Sequence, residues 1–311
     1  MTKVSFIGAG GVSMTTAFTL GLKLGKDLTD IVLIDTDEKI AFGRSIDLKQ
    51  GLLLNGLDTN IIGTTDYNNV ANSDIIIITA SMPPSPGVSN REAMLKSNKE
   101  IIEGIANSLK KVISTDDKQP LIVVVSNPLD LILNHFIKVG GFNKKKTIGS
   151  GNWLDVARLQ DHLSREVKVA PSKVKTFAVA QHGVKIVYLL SQTTIDNKPL
   201  SSFNIPKDRL NEIVDNAING AKEIITNGNV RTLYGPALSI FALVDAYLKD
   251  KKELLTASVY LNGEYGVNDF CFGVPIVLGK NGVEEIKILD IDDEEKRLYK
   301  ESYEFTKGLD N

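Results

Sequence analysis

The pair His182-Gly183, in a turn after the apolar run Thr176–Ala180, offers this chain's best group for moving a proton. Imidazole titrates near neutrality and can take up or give back a proton at physiological pH. The remaining histidines, His135 and His162, sit inside helical patterns, where a structural role is usual. A histidine base needs a third group to orient its ring, and Asp155 is the natural carboxylate for that task. Asp155 and Arg158 are three positions apart on an amphipathic stretch that starts after Gly151, so they share one helical face. A surface ion pair would account for those two equally well. Asn127, at the carboxyl end of the Leu121–Val125 run and held by Pro128, is placed to aim its amide into a crevice, or else to begin a helix.

A second chemistry belongs to the first residues. Lys3 to Ile7 read as a buried strand, Gly8-Ala-Gly-Gly-Val-Ser13 as a tight glycine turn, and Val12 to about Lys23 as a helix. A strand that turns through glycines into a helix points backbone N–H groups and the positive end of the helix dipole at one spot, which suits a pyrophosphate. Gly8, Gly10, Gly11, Val12 and Ser13 are the cofactor-binding candidates there. Ser13 stands where the third glycine of the G-x-G-x-x-G pattern would be. The next apolar strand, Ile31 to Ile34, ends in Asp35, about 20 residues past the turn, where a ribose-binding acid is expected. A carboxylate at that point accepts from the ribose hydroxyls and repels a 2′-phosphate, so it favours NAD over NADP. Asp37 is the better candidate for capping the helix that follows.

These groups need a scaffold. Strands at Asn60–Gly63, Asp74–Thr79 and Pro120–Val125 alternate with helical stretches and are uniformly apolar, as in a parallel sheet covered on both faces. After about residue 148 the order becomes mixed. The expected fold class is α/β: a Rossmann-type doubly wound parallel sheet over residues 1–148, then a mixed α+β substrate domain over 149–311. Between Thr79 and Arg91, a loop rich in proline, glycine and serine precedes a long helix from about Glu92 to Val112, and it reads as a mobile lid. A helix from Asn229 to about Lys249 with a kink at Pro236, a two-residue hairpin at Lys280-Asn281-Gly282-Val283, and a last helix from about Asp292 to Phe305 complete the pattern.

Composition removes several classes. A net charge of -2 gives no reason to expect nucleic acid or an anionic membrane as partner. The single Cys271 excludes an internal disulfide, and no Cys/His cluster has metal spacing, so no metal is expected. The apolar runs are strand length, too short for a bilayer, and the first strand begins too early to leave room for a leader. A cytoplasmic location is the expectation.

The pieces Gly-Ala-Gly-Gly-Val, Ile-Val-Leu-Ile-Asp, Val-Ser-Asn-Pro-Leu-Asp, Leu-Asp-Val-Ala-Arg and His-Gly, in this order and spacing, resemble the NAD-dependent lactate/malate dehydrogenase family over essentially the whole chain. The tail Leu-Asn-Gly-Glu-Tyr-Gly-Val-Asn-Asp and Gly-Val-Pro-Ile is similar to malate dehydrogenases more than to lactate dehydrogenases. The resemblance implies NAD as cofactor and the interconversion of a small L-2-hydroxy acid with its 2-oxo acid, malate and oxaloacetate first, as in the tricarboxylic acid cycle. His182 and Asp155 would then be catalytic, Arg158 would bind the substrate 1-carboxylate, and Arg91 would polarise the reacting carbonyl. Asn127, Thr232 and Ser85 would contact substrate, while Thr79, Ala80, Asn98, Val125 and Asn127 would contact the cofactor. A homo-oligomer, dimer or tetramer, through helices such as those near Glu38–Leu54 and Asp155–Arg165, is implied by the resemblance alone.

The chain departs from the family in its loop. Malate dehydrogenases read the far carboxylate with a second arginine there, and Pro84 and Ser85 stand at that place. A buried carboxylate without a cation costs about 3–5 kcal/mol. An oxaloacetate preference therefore needs a cation from elsewhere, Lys185 or Arg231 being nearest in sequence. Ser81, Gln181 and Val184 are further departures that make the pocket less charged. An L-lactate dehydrogenase or broader 2-oxo acid reductase is the alternative. An NAD-binding regulatory protein that has kept the fold, or an NAD-dependent glycosidase, fits the residues less well.

Overall fold

A computed structural model describes residues 1–82, 91–228 and 230–310, apart from the side chains of 91–93. The lid reading, with Pro84 and Ser85, lies outside the described residues, as does the side chain of Arg91.

The first half alternates as its apolar runs require. Strand β1 (Thr2–Ile7) leads into helix α1 (Gly11–Leu24), β2 (Leu28–Ile34) into α2 (Glu38–Leu53), and β3 (Asn60–Thr64) is followed by β4 (Ile75–Ile78). Helix α3 (Arg91–Leu109), β5 (Leu121–Val124), α4 (Leu129–Gly140) and β6 (Thr147–Gly149) complete the parallel part. Every pairing along β3-β2-β1-β4-β5-β6 is parallel. All four residues of β4 and of β5 are buried, as strands covered on both faces must be. The chain reverses direction across the sheet at β1, between β2 and β4. That is the switch point where open α/β sheets leave a crevice at their strands' carboxyl ends.

The second half opens with α5 (Asn152–Val167), β7 (Val174–Lys175), β8 (Ala178–Ala180) and β9 (Ile186–Tyr188), then β10 (Thr194–Ile195) and β11 (Lys198–Pro199). Helices α6 (Lys207–Gly228) and α7 (Tyr234–Leu248) precede β12 (Glu253–Asn262), β13 (Asn268–Gly279), β14 (Gly282–Ile286) and α8 (Asp293–Gly308). Strands β12, β13, β8 and β9 continue the first sheet antiparallel, so one sheet runs from β3 to β9. Gly279 pairs with Gly282 across the Lys280-Asn281 turn, the expected hairpin.

The helix expected from Asn229 to about Lys249 starts later than its sequence pattern implies. Residues 230–233 are not helical, and α7 begins only at Tyr234. Pro236 therefore falls in the first helical turn, where its missing N–H has no intrahelical partner to lose, so no kink is required. Leu233 lies over the glycine turn: a Cβ on Gly11 would stand 2.9 Å from its Cδ2.

Candidate active site

The glycine turn is built for close approach. Gly8 has φ +96, and a Cβ there would come within 2.9 Å of the Ala80 nitrogen, so only glycine lets β1 and the end of β4 meet. Beyond it, a Cβ on Gly10 would meet nothing within 4 Å, which leaves open space over the turn. No side chain caps α1, so its first-turn N–H groups face that space unclaimed by a cap. Ser13 does more than replace a glycine. It is fully buried, and its hydroxyl lies 2.7 Å from that of Thr79, tying α1 to the end of β4.

Asp35 ends β2 with one carboxylate oxygen accepting from the Ala9 N–H at 2.8 Å and the other from the Asp37 N–H at 3.2 Å. Asp37, not Asp35, caps α2. The acid is thus locked against the glycine turn with lone pairs left over. An uncapped helix start, an open space above Gly10 and a fixed carboxylate at the next strand fit a dinucleotide's pyrophosphate and ribose.

The remaining cofactor candidates converge on the same crevice. The Thr79 and Ala80 N–H groups both donate to the Ile7 carbonyl at 3.0 Å, and the Val125 N–H donates to Ile78 at 2.9 Å. Asn98 on α3 is buried; its amide oxygen accepts from the Met82 N–H at 2.8 Å, and its nitrogen donates to the Asn127 carbonyl at 2.7 Å. Its amide therefore braces the loop root against the end of β5. Asn127 itself is exposed, and Thr232 is half-buried in the segment before α7.

His182, Asp155 and Arg158 meet in the structure. His182 Nδ1 lies 2.6 Å from Asp155 Oδ2, and Arg158 donates to Asp155 Oδ1 at 2.6 Å. An ionised carboxylate only accepts, so Nδ1 carries the proton and Nε2 is left for a ligand. The Asp155–Arg158 pair is no surface bridge: their side chains are 4% and 16% exposed. Burial favours the neutral ring, but the carboxylates of Asp155 and, after it, Asp130 together outweigh it, and the imidazole holds its proton above its ordinary pKa.

Local structure aims this ring. The chain enters the turn through Ala180 (φ 66) and leaves it through Gly183 (φ 147), both left-handed. Gly151 is equally necessary, since a Cβ there would sit 2.5 Å from His182 Cγ. The start of α5 is anchored by Asn152, which donates to the Ala180 carbonyl at 3.1 Å.

Of the two candidate cations, Lys185 places its ammonium 5.6 Å from the Phe305 ring centroid on α8, whereas Arg231 is exposed beside Thr232. Gln181 is buried, and its amide oxygen accepts from the Lys185 N–H at 3.2 Å, so it shapes the turn. The sequence reading passed over Asp130, whose carboxylate accepts from the His182 N–H at 3.0 Å. Its only signal was a carboxylate in the first turn after Asn127-Pro128. Tyr188 on β9 was also missed: its buried hydroxyl has no hydrogen-bond partner among the described residues. Burial and, after it, the charge of Asp155 raise its pKa.

Among the described residues no group of side chains is placed to hold a metal ion, and no helix is long and apolar enough to cross a membrane.

Comparison with known proteins agrees with this geometry. Residues 2–149 match the lactate/malate dehydrogenase NAD binding domain, and residues 153–308 match the lactate/malate dehydrogenase alpha/beta C-terminal domain. Malate dehydrogenases of Rhodopirellula baltica and Bacillus cereus are each 36% identical over 310 residues, covering 99% of this chain and 96% of theirs. The crystal structure of Cryptosporidium parvum malate dehydrogenase superposes with a TM-score of 0.91 at 35% identity, over 99% of this chain and 97% of that one. Lactate dehydrogenase of the same organism, complexed with lactic acid and nicotinamide adenine dinucleotide, gives 0.91 at 32% identity, over 99% and 96%. The chain belongs to the lactate/malate dehydrogenase family and is an NAD-dependent oxidoreductase that interconverts a hydroxy acid and its oxo acid.

Proposed function

We propose that the chain interconverts L-malate and oxaloacetate, residues 1–148 holding NAD and residues 149–311 carrying most of the substrate site. The contact chain His182–Asp155–Arg158, with both links at 2.6 Å, carries the chemical part of this reading. The choice of malate is supported by the relatives above and by the tail after Leu261.

Bound NAD supplies the hydride acceptor at its nicotinamide ring. In the oxidative direction, His182 Nε2 removes the hydroxyl proton, and Asp155 stabilises the imidazolium through the Nδ1–H bond. In the reductive direction the protonated ring returns that proton to the carbonyl oxygen. Arg158, with one nitrogen held by Asp155, presents the rest of its fork to the 1-carboxylate. Arg91, at the first position of α3, is the residue we assign to the reacting carbonyl, where positive charge matches the negative charge that develops. We assign Asn127, Thr232 and Ser85 to substrate contact. Gly8, Gly10, Gly11, Val12, Ser13, Asp35, Thr79, Ala80, Asn98 and Val125 form the cofactor side.

Arg231 is our choice for the cation that reads the far carboxylate, because Lys185 is drawn to Phe305. The alternative, a lactate dehydrogenase or broader reductase, is favoured by Pro84 and Ser85 in place of the loop arginine. NADH oxidation with oxaloacetate and with pyruvate separates them: a higher kcat/KM for pyruvate would reject malate as the substrate.

We further place the protein in the cytoplasm as a homo-oligomer. The adjoining helices α1, α2 and α7 expose Leu22, Phe42, Ile46, Leu53, Tyr234 and Leu238, an apolar surface suited to a second copy. Sedimentation at the monomer mass of 33.9 kDa would contradict it.

A further inference from the structure

The main chain of His182 is held from behind by a second carboxylate. Asp130 lies in the first turn of α4 and is 1% exposed. One oxygen accepts from the His182 N–H at 3.0 Å, the other from the Ser258 hydroxyl on β12 at 2.6 Å. Ser258 is fully buried and pairs with Gly149 of β6, so the acid stitches α4, the central sheet and the His182 turn together. A carboxylate this deep is far dearer than the amide or hydroxyl that could fill its place. Its charge therefore calls for a use.

We propose that Asp130 is a positioning residue of the proton-transfer site: it fixes the His182 main chain and, with Asp155, supplies the negative charge that lets the imidazole carry its proton. The inference rests on the reading of His182 as the acid–base group. The ring touches Asp155 and the backbone touches Asp130, so two acids flank one histidine. Among the described residues, the ionisable side chains around Asp130 are His182 itself, Cys271 on β13 and Tyr299 on α8. Cys271 and Tyr299 are buried and held neutral, since burial drives both pKa values up, so neither offsets the charge. Arg158, on the Asp155 side of the ring, works against the proton. Burial also raises the Asp130 pKa, to about 6, against the pull of Ser258 and the His182 N–H, so above that pH the charge is present.

Asp130→Asn tests this with the shape retained. Its oxygen can still accept from the His182 N–H, and its nitrogen can donate to the Ser258 oxygen once that hydroxyl turns. With imidazole carbon labelled, NMR titration of the free protein follows His182 among three histidines and needs no substrate. The expected result is a His182 midpoint at lower pH than in the wild type. The pH profiles of kcat/KM then move in a way that a loosened fold would not produce. Oxo-acid reduction, which needs protonated His182, fails at lower pH than before, while hydroxy-acid oxidation, which needs it neutral, begins at lower pH. An unchanged midpoint, or equal losses in both directions at every pH, overturns the proposal. Should Asp130→Asn not fold, Ser258→Ala carries the same test. With one donor fewer, Asp130 gains its proton at higher pH and His182 again titrates lower; an unchanged midpoint rejects the idea there too. A His182 midpoint that shifts in a protein inactive on every 2-oxo acid would instead refute the dehydrogenase reading and leave this one standing.

Discussion

Asp155 faces His182 and Arg158 with separate oxygens, so one buried carboxylate holds the imidazole tautomer and the guanidinium at once. Asp155→Asn keeps the volume but removes the charge, and its amide nitrogen can be turned toward either neighbour, both of which are donors. Oxo-acid reduction is expected to fall by on the order of 10²–10⁴-fold in kcat. NADH binding, measured by fluorescence, should be nearly unchanged. A variant within a few-fold of wild type in kcat would remove Asp155 from the mechanism.

Asp130 predicts a pH-dependent gain in stability. Its pKa is raised in the folded protein, from an ordinary 3.8 to about 6, so the folded state binds more protons than the unfolded state between those values. Stability from this group is complete below the lower value and is lost as pH rises through the upper one, roughly 3 kcal/mol in all at about 1.4 kcal/mol per pH unit. Asp130→Asn escapes that loss. It should be more stable than the wild type in denaturant at pH 7.5, and the difference should shrink toward pH 4. A variant less stable at pH 7.5 than at pH 4, relative to wild type, contradicts the raised pKa.

Most of the scaffold was legible because parallel sheets write themselves as apolar runs: Ile75–Ile78 and Leu121–Val124 leave no other reading. His182, Asp155 and Arg158 were legible because spacing on one helix and a turn after a strand restrict where side chains point. Asp130 was not, since a carboxylate in a helix's first turn ordinarily faces water and answers the helix dipole. Only the tertiary arrangement, with Ser258 and the His182 N–H closing over it, reveals its burial. The break at 230–233 was hidden for a related reason: Leu233 precedes the helix and lies over Gly11, a contact with no local signature.

Cofactor choice should follow Asp35. Its carboxylate fixes the glycine turn through Ala9, and we assign it the ribose hydroxyls. Asp35→Ser removes the charge that repels a 2′-phosphate and weakens the bonds to the ribose hydroxyls. A charge-assisted hydrogen bond is worth about 1.5–3 kcal/mol, so kcat/KM for NADH should drop roughly tenfold to a hundredfold. The NADPH-to-NADH ratio should rise. A ratio that does not move would place the ribose elsewhere.

Gly151 sets the depth of the His182 ring without touching the chemistry itself. An alanine there would add a Cβ against the ring. That atom would stand 2.5 Å from Cγ, 2.7 Å from Cδ2 and 2.8 Å from Nδ1 of His182. A ring held at one end by Asp155 and at its backbone by Asp130 cannot retreat without breaking one of those contacts. A displacement of about 1 Å is enough to cost on the order of 10²-fold in rate. Gly151→Ala is therefore expected to lose about that factor in kcat while NADH affinity stays close to wild type, because the glycine turn and Asp35 lie on other strands. Steady-state rates beside a fluorescence titration with NADH decide it. Full activity in the alanine variant would mean that the ring has room to move, and that the site is held less tightly than its contacts imply.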